Sequence, residues 1–274
     1  MKTKYSGRTS SVWFYVILLS VLFCAVFPFL WMVLSSFKSI VDLMNVQRIF
    51  KSPVTFSNYI DVFKTYKFEL PMFNSIFIGL AATFMALLFG LPAAYSIARE
   101  RQTLFASIVL VIRIIPAITF LVPWYIIFTR IGITGTYAAI ILPHLLVSLP
   151  LVIWIMIPYF ESLPKELEQA AWVDGCSRMG TFVRIVLPLS TPSILTASLL
   201  SFIFSWNNFI FALVLCTGKT KTLPTAVFEF VSYTEINWSG LMAAAVTITA
   251  PILLISLFLQ KHIISGLTAG AVKG

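Results

Sequence analysis

The segment Leu163-Pro-Lys-Glu-Leu-Glu-Gln-Ala-Ala-Trp-Val-Asp-Gly-Cys-Ser-Arg-Met-Gly-Thr-Phe-Val-Arg-Ile-Val-Leu-Pro188 is a polar island between two apolar runs, Thr136–Pro158 and Pro192–Thr217. A helix needs about 20 apolar residues to cross a hydrocarbon core of about 30 Å, and each flanking run has that length. Such runs recur along the chain, separated by polar connectors, and this decides the fold class. Composition agrees: 59% of the 274 residues are hydrophobic and only 11% are charged, whereas a soluble domain carries about 25% charged residues. The net charge of +9 comes from basic residues scattered through the connectors. Topology and lipid headgroups account for them, and nucleic acid, which needs a clustered basic patch, does not.

Working outward from the island, six runs read as spans: 12–34, 74–98, 104–128, 136–158, 192–217 and 240–259. The first follows a polar, basic leader. It is too long for a signal-peptide core and lacks a small-residue cleavage site, so it reads as a retained span. The expected architecture is an all-α polytopic membrane bundle, a single transmembrane domain over 1–274. It has six transmembrane helices, a long external loop at 35–71, a cytoplasmic loop at 159–190 and a tail at 262–274. Both termini then lie in the cytoplasm, on the side that the positive-inside rule favours for the short turn Arg99-Glu100-Arg101 and the island. Prolines at 92, 116, 123, 143, 150 and 251 predict kinked spans, because neighbouring helices and hydroxyls satisfy the carbonyls that proline frees. Cys24, Cys176 and Cys216 lie far apart with no C-x-x-C spacing, and they read as small buried hydrophobes.

Within the island, Pro164 suits a first helical turn, and Glu166 and Glu168 complement its dipole. Leu163, Leu167, Ala170, Ala171 and Asp174 recur on one face of a short amphipathic helix that Gly175 ends. A second short helix begins near Ser177, exposing Arg178 and packing Phe182 and Ile185, and stops at Leu187-Pro188. On residue chemistry alone, this is either a docking surface or an amphipathic connector lying on the membrane.

The spacing resembles the EAA motif of ABC-importer permeases: E-A-A, three residues, Gly, nine residues, Ile-x-Leu-Pro. Gln169-Ala170-Ala171, Gly175 and Ile185-Val-Leu187-Pro188 match every interval, with Gln169 at the motif's Glu position and Glu168 beside it. The C-terminal Gly266-Leu-Thr-Ala-Gly-Ala-Val-Lys-Gly274 is similar to the ending of the carbohydrate-uptake branch, in particular the smaller permease subunit of maltose-type importers. Thr55-Phe-Ser-Asn-Tyr59, Phe73-Asn-Ser75, Arg113-Ile-Ile-Pro116 and Ser205-Trp-Asn-Asn-Phe209 resemble that branch's recurrent segments. The resemblance implies a coupling helix seated in an ATP-binding subunit through Glu168, Gln169, Ala170, Ala171, Asp174, Gly175 and Arg178. It implies tail contacts to those subunits through Thr268, Ala269, Gly270 and Lys273. The partners it implies are a second permease subunit in a heterodimer, two ATP-binding subunits that hold the ATP and magnesium, and an extracytoplasmic sugar-binding protein. The setting is a prokaryotic cell membrane and the mechanism alternating access.

Three further sites are suggested by residue type. Arg113 lies about ten residues into a span, where a charge is costly. Burial against the bundle in a structural or gating role fits it better than sugar contact. Trp206, Asn207 and Asn208 offer the aromatic and amide groups that hydroxyl-rich ligands use, although amides equally bridge helices in membranes. His144 reads as a bundle residue. The chain carries no phosphate-binding G-x-x-x-x-G-K-[ST] loop, nucleophile–base pair or metal cluster, so it reads as a transport subunit and not an enzyme, with no cofactor of its own. No Asp or Glu lies inside any span, which disfavours the alternative of a stand-alone proton-coupled carrier. An ABC permease for a non-sugar solute shares the loop but not the ending.

Overall fold

The computed structural model describes residues 9–45, 47–231 and 236–268. In chain order its helices are α1 (Thr9–Ser36), α2 (Ile40–Leu43), α3 (Ser57–Lys64), α4 (Glu69–Glu100), α5 (Thr103–Ile114), α6 (Leu121–Arg130) and α7 (Tyr137–Ser162). They continue with α8 (Glu166–Val173), α9 (Arg178–Thr181), α10 (Leu187–Leu189), α11 (Thr191–Trp206), α12 (Ile210–Leu215), α13 (Leu223–Ala226) and α14 (Trp238–Thr268). Among the described residues there is no strand, only an isolated bridge between Val231 and Ile236.

Among the described residues four helices are long and apolar enough to cross a membrane: the Trp13–Ser36 part of α1, α4, α7 and the Trp238–Phe258 part of α14. Two bent pairs raise the number to six if each counts as one span. The stretch expected as a straight third span, 104–128, is α5 followed by Ala117–Arg130, bent by 86°. The cause is local. Ile115 precedes a proline and is therefore extended, at ψ 123°, so α5 ends one residue earlier. Pro123, by contrast, falls in the first turn of α6, where its missing N–H costs nothing.

The expected fifth span, 192–217, is also interrupted. α11 ends at Trp206, and the Asn208 side chain accepts a hydrogen bond from the Phe211 backbone at 3.3 Å, opening α12. Short amides compete in this way with helix continuation. Before α11, the helical stretch Arg178–Leu189 makes a 79° bend with it. Its Phe182–Val186 turn is a π-turn, next to Pro188, which cannot donate a backbone hydrogen bond. The second island helix therefore runs past the expected stop to Leu189.

Two compact units are distinguished. The first holds α1–α3, the segment after Val227 and α14 as far as Thr249. In it the 35–67 loop is latched to the end of α1. Asn58 donates to the Ser36 and Lys38 carbonyls at 2.8 and 2.9 Å, the Lys38 ammonium donates to the Ser52 carbonyl at 2.6 Å, and Tyr59 pairs with Ser36. Asn58 and Tyr59 belong to the Thr55–Tyr59 segment singled out above; Asn58 satisfies a carbonyl that the helix end leaves free, and Tyr59 bonds the Ser36 hydroxyl.

The second unit, Phe68–Ala226 with the rest of α14, is built on α4, α7 and α11. One cluster joins Ala86, Ala94 and Ile97 of α4 to Val152, Met156 and Phe160 of α7, with Phe182, Val186 and Ala197. Small residues permit the close approach. A Cβ on Gly90 would stand 2.9 Å from Val152 Cγ1, and one on Gly79 would stand 2.7 Å from the Phe202 ring. Asn74 ties the far end of α4, donating to the Lys219 and Lys221 carbonyls and accepting from the Tyr137 hydroxyl. None of the three cysteines is buried, contrary to expectation: all are free thiols, and Cys24 lies exposed on α1.

Gly90→Leu would force a side chain into Val152, and its expected cost is about 1–3 kcal/mol. Thermal unfolding of the detergent-purified protein should register it as a lower midpoint. Gly218→Leu, at a site where a Cβ meets nothing within 4 Å, should leave the midpoint unchanged.

Candidate coupling site

α8 has eight residues, too few to be stable alone, so its position depends on tertiary contacts. Its inward face carries Ala171 and Glu168, which are 5% and 3% exposed. Glu168 turns back against the end of α4. Arg99 reaches its Oε1 through Nε at 2.7 Å and Nη2 at 2.5 Å, and the Tyr95 hydroxyl donates to Oε2 at 2.5 Å. Arg99 also donates to the Leu163 carbonyl at 3.4 Å. Tyr95 is wedged between Phe160 and Phe182, with ring centroids 5.7 and 4.9 Å away. A buried carboxylate needs this degree of compensation, because an unpaired one is far too costly.

The outer face is made of the remaining loop residues. Gln169, Ala170, Asp174, Gly175 and Arg178 are exposed. The helix ends in a two-bond Schellman turn: Cys176 N–H donates to the Ala171 carbonyl at 2.9 Å and Gly175 N–H to Trp172 at 3.1 Å. Gly175 has φ +85°, and a Cβ there would meet nothing within 4 Å, so the backbone alone restricts the residue within this chain. Ser177 then caps α9, accepting from Gly180 N–H at 3.1 Å. Arg178 lies 3.7 Å from Glu100 and 5.8 Å from the centroid of Trp172. Both partners of that ion pair are mostly exposed, so it is worth at most about 1 kcal/mol. A cleft of about 340 Å³ runs between α4 and α8, with Gln169, Lys165, Trp172 and Arg178 on its wall.

The two neighbouring side chains at the motif position thus have separate places. Glu168 faces inward and holds the loop, while Gln169 faces the cleft and the outside. Sequence reasoning missed Arg99 and Tyr95. Arg99 reads there as an ordinary charge in a turn, and its partner lies 69 positions away.

The other expected residues disperse. Trp206 is 2% exposed and packs on Phe202 with centroids 5.6 Å apart. Asn207 is exposed and Asn208 half-buried, and they line a cavity of about 530 Å³ with Ala117, Phe204 and Phe209. Arg113, expected to be buried, is exposed. It ends α5 at the Pro116 bend and borders a cavity of about 230 Å³ with Phe120, Pro150 and Phe204. The bend turns it out of the bundle. His144 is buried between α7 and α11, its Nδ1 2.7 Å from the Ser205 hydroxyl. Of the expected tail contacts, Thr268 ends α14, and Ala269, Gly270 and Lys273 lie outside the described residues.

A chain with several membrane-length helices and a loop clamped to their ends belongs to the class of multi-pass membrane proteins. Residues 86–268 match the model of the binding-protein-dependent transport system inner membrane component family, and the chain belongs to that family. It is 36% identical to the trehalose/maltose transport system permease protein MalG of Thermococcus litoralis, over 90% of this chain and 91% of that one. It is 32% identical to the sulfoquinovosyl glycerol transport system permease protein SmoH of Agrobacterium fabrum, over 90% and 89% of the two chains. A subunit of a bacterial ABC transporter that imports the acidic polysaccharide alginate superposes with a TM-score of 0.76 over 94% of this chain and 99% of that one. At 22% identity, this last likeness bears on the fold alone.

Arg99→Ala strands Glu168 in a buried position and is expected to cost about 3–5 kcal/mol. The pair replacement Arg99→Met with Glu168→Leu is expected to recover most of that loss. Unfolding midpoints of the two single variants and the double variant measure it as a coupling energy.

Proposed function

We propose that this chain is a permease subunit of an ATP-binding-cassette importer that carries a sugar or glycoside into a prokaryotic cell. The observation that carries the reading is a loop with a locked inner face and a free outer face. Glu168 and Ala171 join α8 to the end of α4, while Gln169, Ala170, Asp174, Gly175 and Arg178 are left for a partner. The family match supports a binding-protein-dependent importer, and the names of the MalG and SmoH relatives support a carbohydrate cargo.

In this reading the loop lies in the cytoplasm and seats in an ATP-binding subunit, which holds the ATP and magnesium. A second permease subunit completes the path, and an external binding protein delivers the sugar. Closure of the ATP-binding subunits pushes on α8. Because Glu168 is buried against Arg99 and Tyr95, the push passes to α4 and, through its close seam, to α7 and α11. The spans then alternate between outward and inward access. Asn207 and Asn208 stand at an interrupted span beside a cavity, and they are the side chains offered to cargo hydroxyls. Arg113, at the bend of the other interrupted span, serves the gating motion. Thr268, Ala269, Gly270 and Lys273 at the tail add contacts to the ATP-binding subunits.

Gly175→Val is expected to reduce sugar uptake to background while the chain inserts at wild-type levels, because the valine strains a φ of +85° and fills the docking face. Gly175→Asn, which tolerates that backbone, separates the two causes. Normal uptake by the valine variant would remove the coupling role. ATPase activity of the assembled complex should rise only with binding protein loaded with the cognate sugar, and a screen across di- and oligosaccharides, polyols and glycerol phosphates identifies it.

A further inference from the structure

The two interrupted spans meet at a shared wall. The cavity of about 530 Å³ beside Asn207 and Asn208 and the cavity of about 230 Å³ beside Arg113 have two lining residues in common, Ala117 and Phe204. Ala117 follows the Pro116 bend, and Phe204 stands in the last turn of α11. The Phe204 ring is 52% exposed, so it offers a face as well as a partition. On one side of it is Arg113, exposed and without an ion pair among the described residues. On the other side, no charged side chain among the described residues lines the larger cavity. Its polar side chains are the two amides, and the rest of the wall is aliphatic or aromatic. Asn207 makes no side-chain hydrogen bond among the described residues. Asn208 accepts from the Phe211 N–H through its carbonyl oxygen, which leaves its amide N–H groups for a ligand.

We propose that Phe204 determines which carbohydrates this chain accepts. Its ring stacks on an uncharged saccharide that Asn207 and Asn208 hold, and it separates that cargo from Arg113. The inference rests on the importer reading and narrows the cargo class to neutral, ring-containing sugars. Hydroxyls suit the free amides. An ionised phosphate, sulfonate or carboxylate does not, because it would shed water in a cavity with no cation on its wall. Open-chain polyols lack the rigid C–H face that a pyranose lays on an aromatic ring, and ordering them costs more. The volume of about 530 Å³ falls within the range of roughly 300–1,000 Å³ of small-molecule sites.

The test is saturation-transfer difference NMR on the full chain purified with the subunits that accompany it, without a binding protein, so that only the permease selects. Trehalose, trehalose 6-phosphate and sorbitol serve as probes. Wild type is expected to give a trehalose signal on the ring protons, about fivefold stronger than that of either other probe. Phe204→Leu keeps the partition and loses the ring face, so the trehalose signal should fall about fivefold while the phosphate derivative stays weak. Phe204→Ala opens the wall to Arg113, and trehalose 6-phosphate should then exceed trehalose. Phe204→Tyr should keep the wild-type pattern. If Phe204→Ala lowers the unfolding midpoint, the Leu and Tyr variants decide alone. An unchanged trehalose signal in Phe204→Leu would overturn the proposal, as would equal wild-type signals from trehalose and its phosphate, or no trehalose signal at all. Those outcomes leave the importer reading standing, because it is judged separately by ATPase stimulation with sugar-loaded binding protein.

Discussion

The close seam between α4, α7 and α11 underlies the second unit. Lipid tails are as apolar as leucine, so helices gain little from simply hiding apolar surface from one another and must gain from fit. Gly79 and Gly90 let the neighbouring helices come within side-chain contact of the α4 backbone, and alanines at 82, 86 and 94 continue the buried face. Bulkier residues at these points would separate the helices and lose the contacts of Val152, Met156 and Phe160. Because the seam is tight, α4 is a firm support, and whatever is fastened to its ends is positioned with it.

Two fastenings exploit this. At one end, Asn74 uses both atoms of its amide, donating to two loop carbonyls and accepting from Tyr137. At the other, Glu168 is held by Arg99 and Tyr95, which makes an eight-residue helix part of the bundle. A connector held by exposed charges, as between Arg178 and Glu100, could slide under load. The buried pair cannot separate without leaving a charge uncompensated, so it suits a device that transmits force.

Much of this was legible beforehand. Run length located the four long apolar helices, because hydropathy over about 20 residues is a one-dimensional signal. The helix–glycine–helix shape of the island followed from Gly175 and Ser177, whose roles are set by their own backbone chemistry, whereas Pro164, expected in the first turn, lies just before the Lys165 N-cap. Where a run is broken, hydropathy is blind: 104–128 and 192–217 are apolar on average, yet Ile115 before Pro116 ends a helix inside one and Asn208 opens a new helix inside the other. Arg113 illustrates the consequence, since its expected burial assumed a straight span that the bend removes. The burial of Trp206 was not legible either, because burial of a ring depends on what lies opposite it.

By itself, then, the sequence determined the all-helical membrane class, the loop's local form and the family to which it belongs. Those depend on periodicity, turn chemistry and spacing along the chain. Only the tertiary structure decided which of two adjacent side chains, Glu168 or Gln169, holds the loop and which faces outward. That choice depends on an arginine 69 positions away being brought within 2.7 Å, and such proximity is created by packing. The polar island is an exposed surface on one face and a fixed member of the bundle on the other.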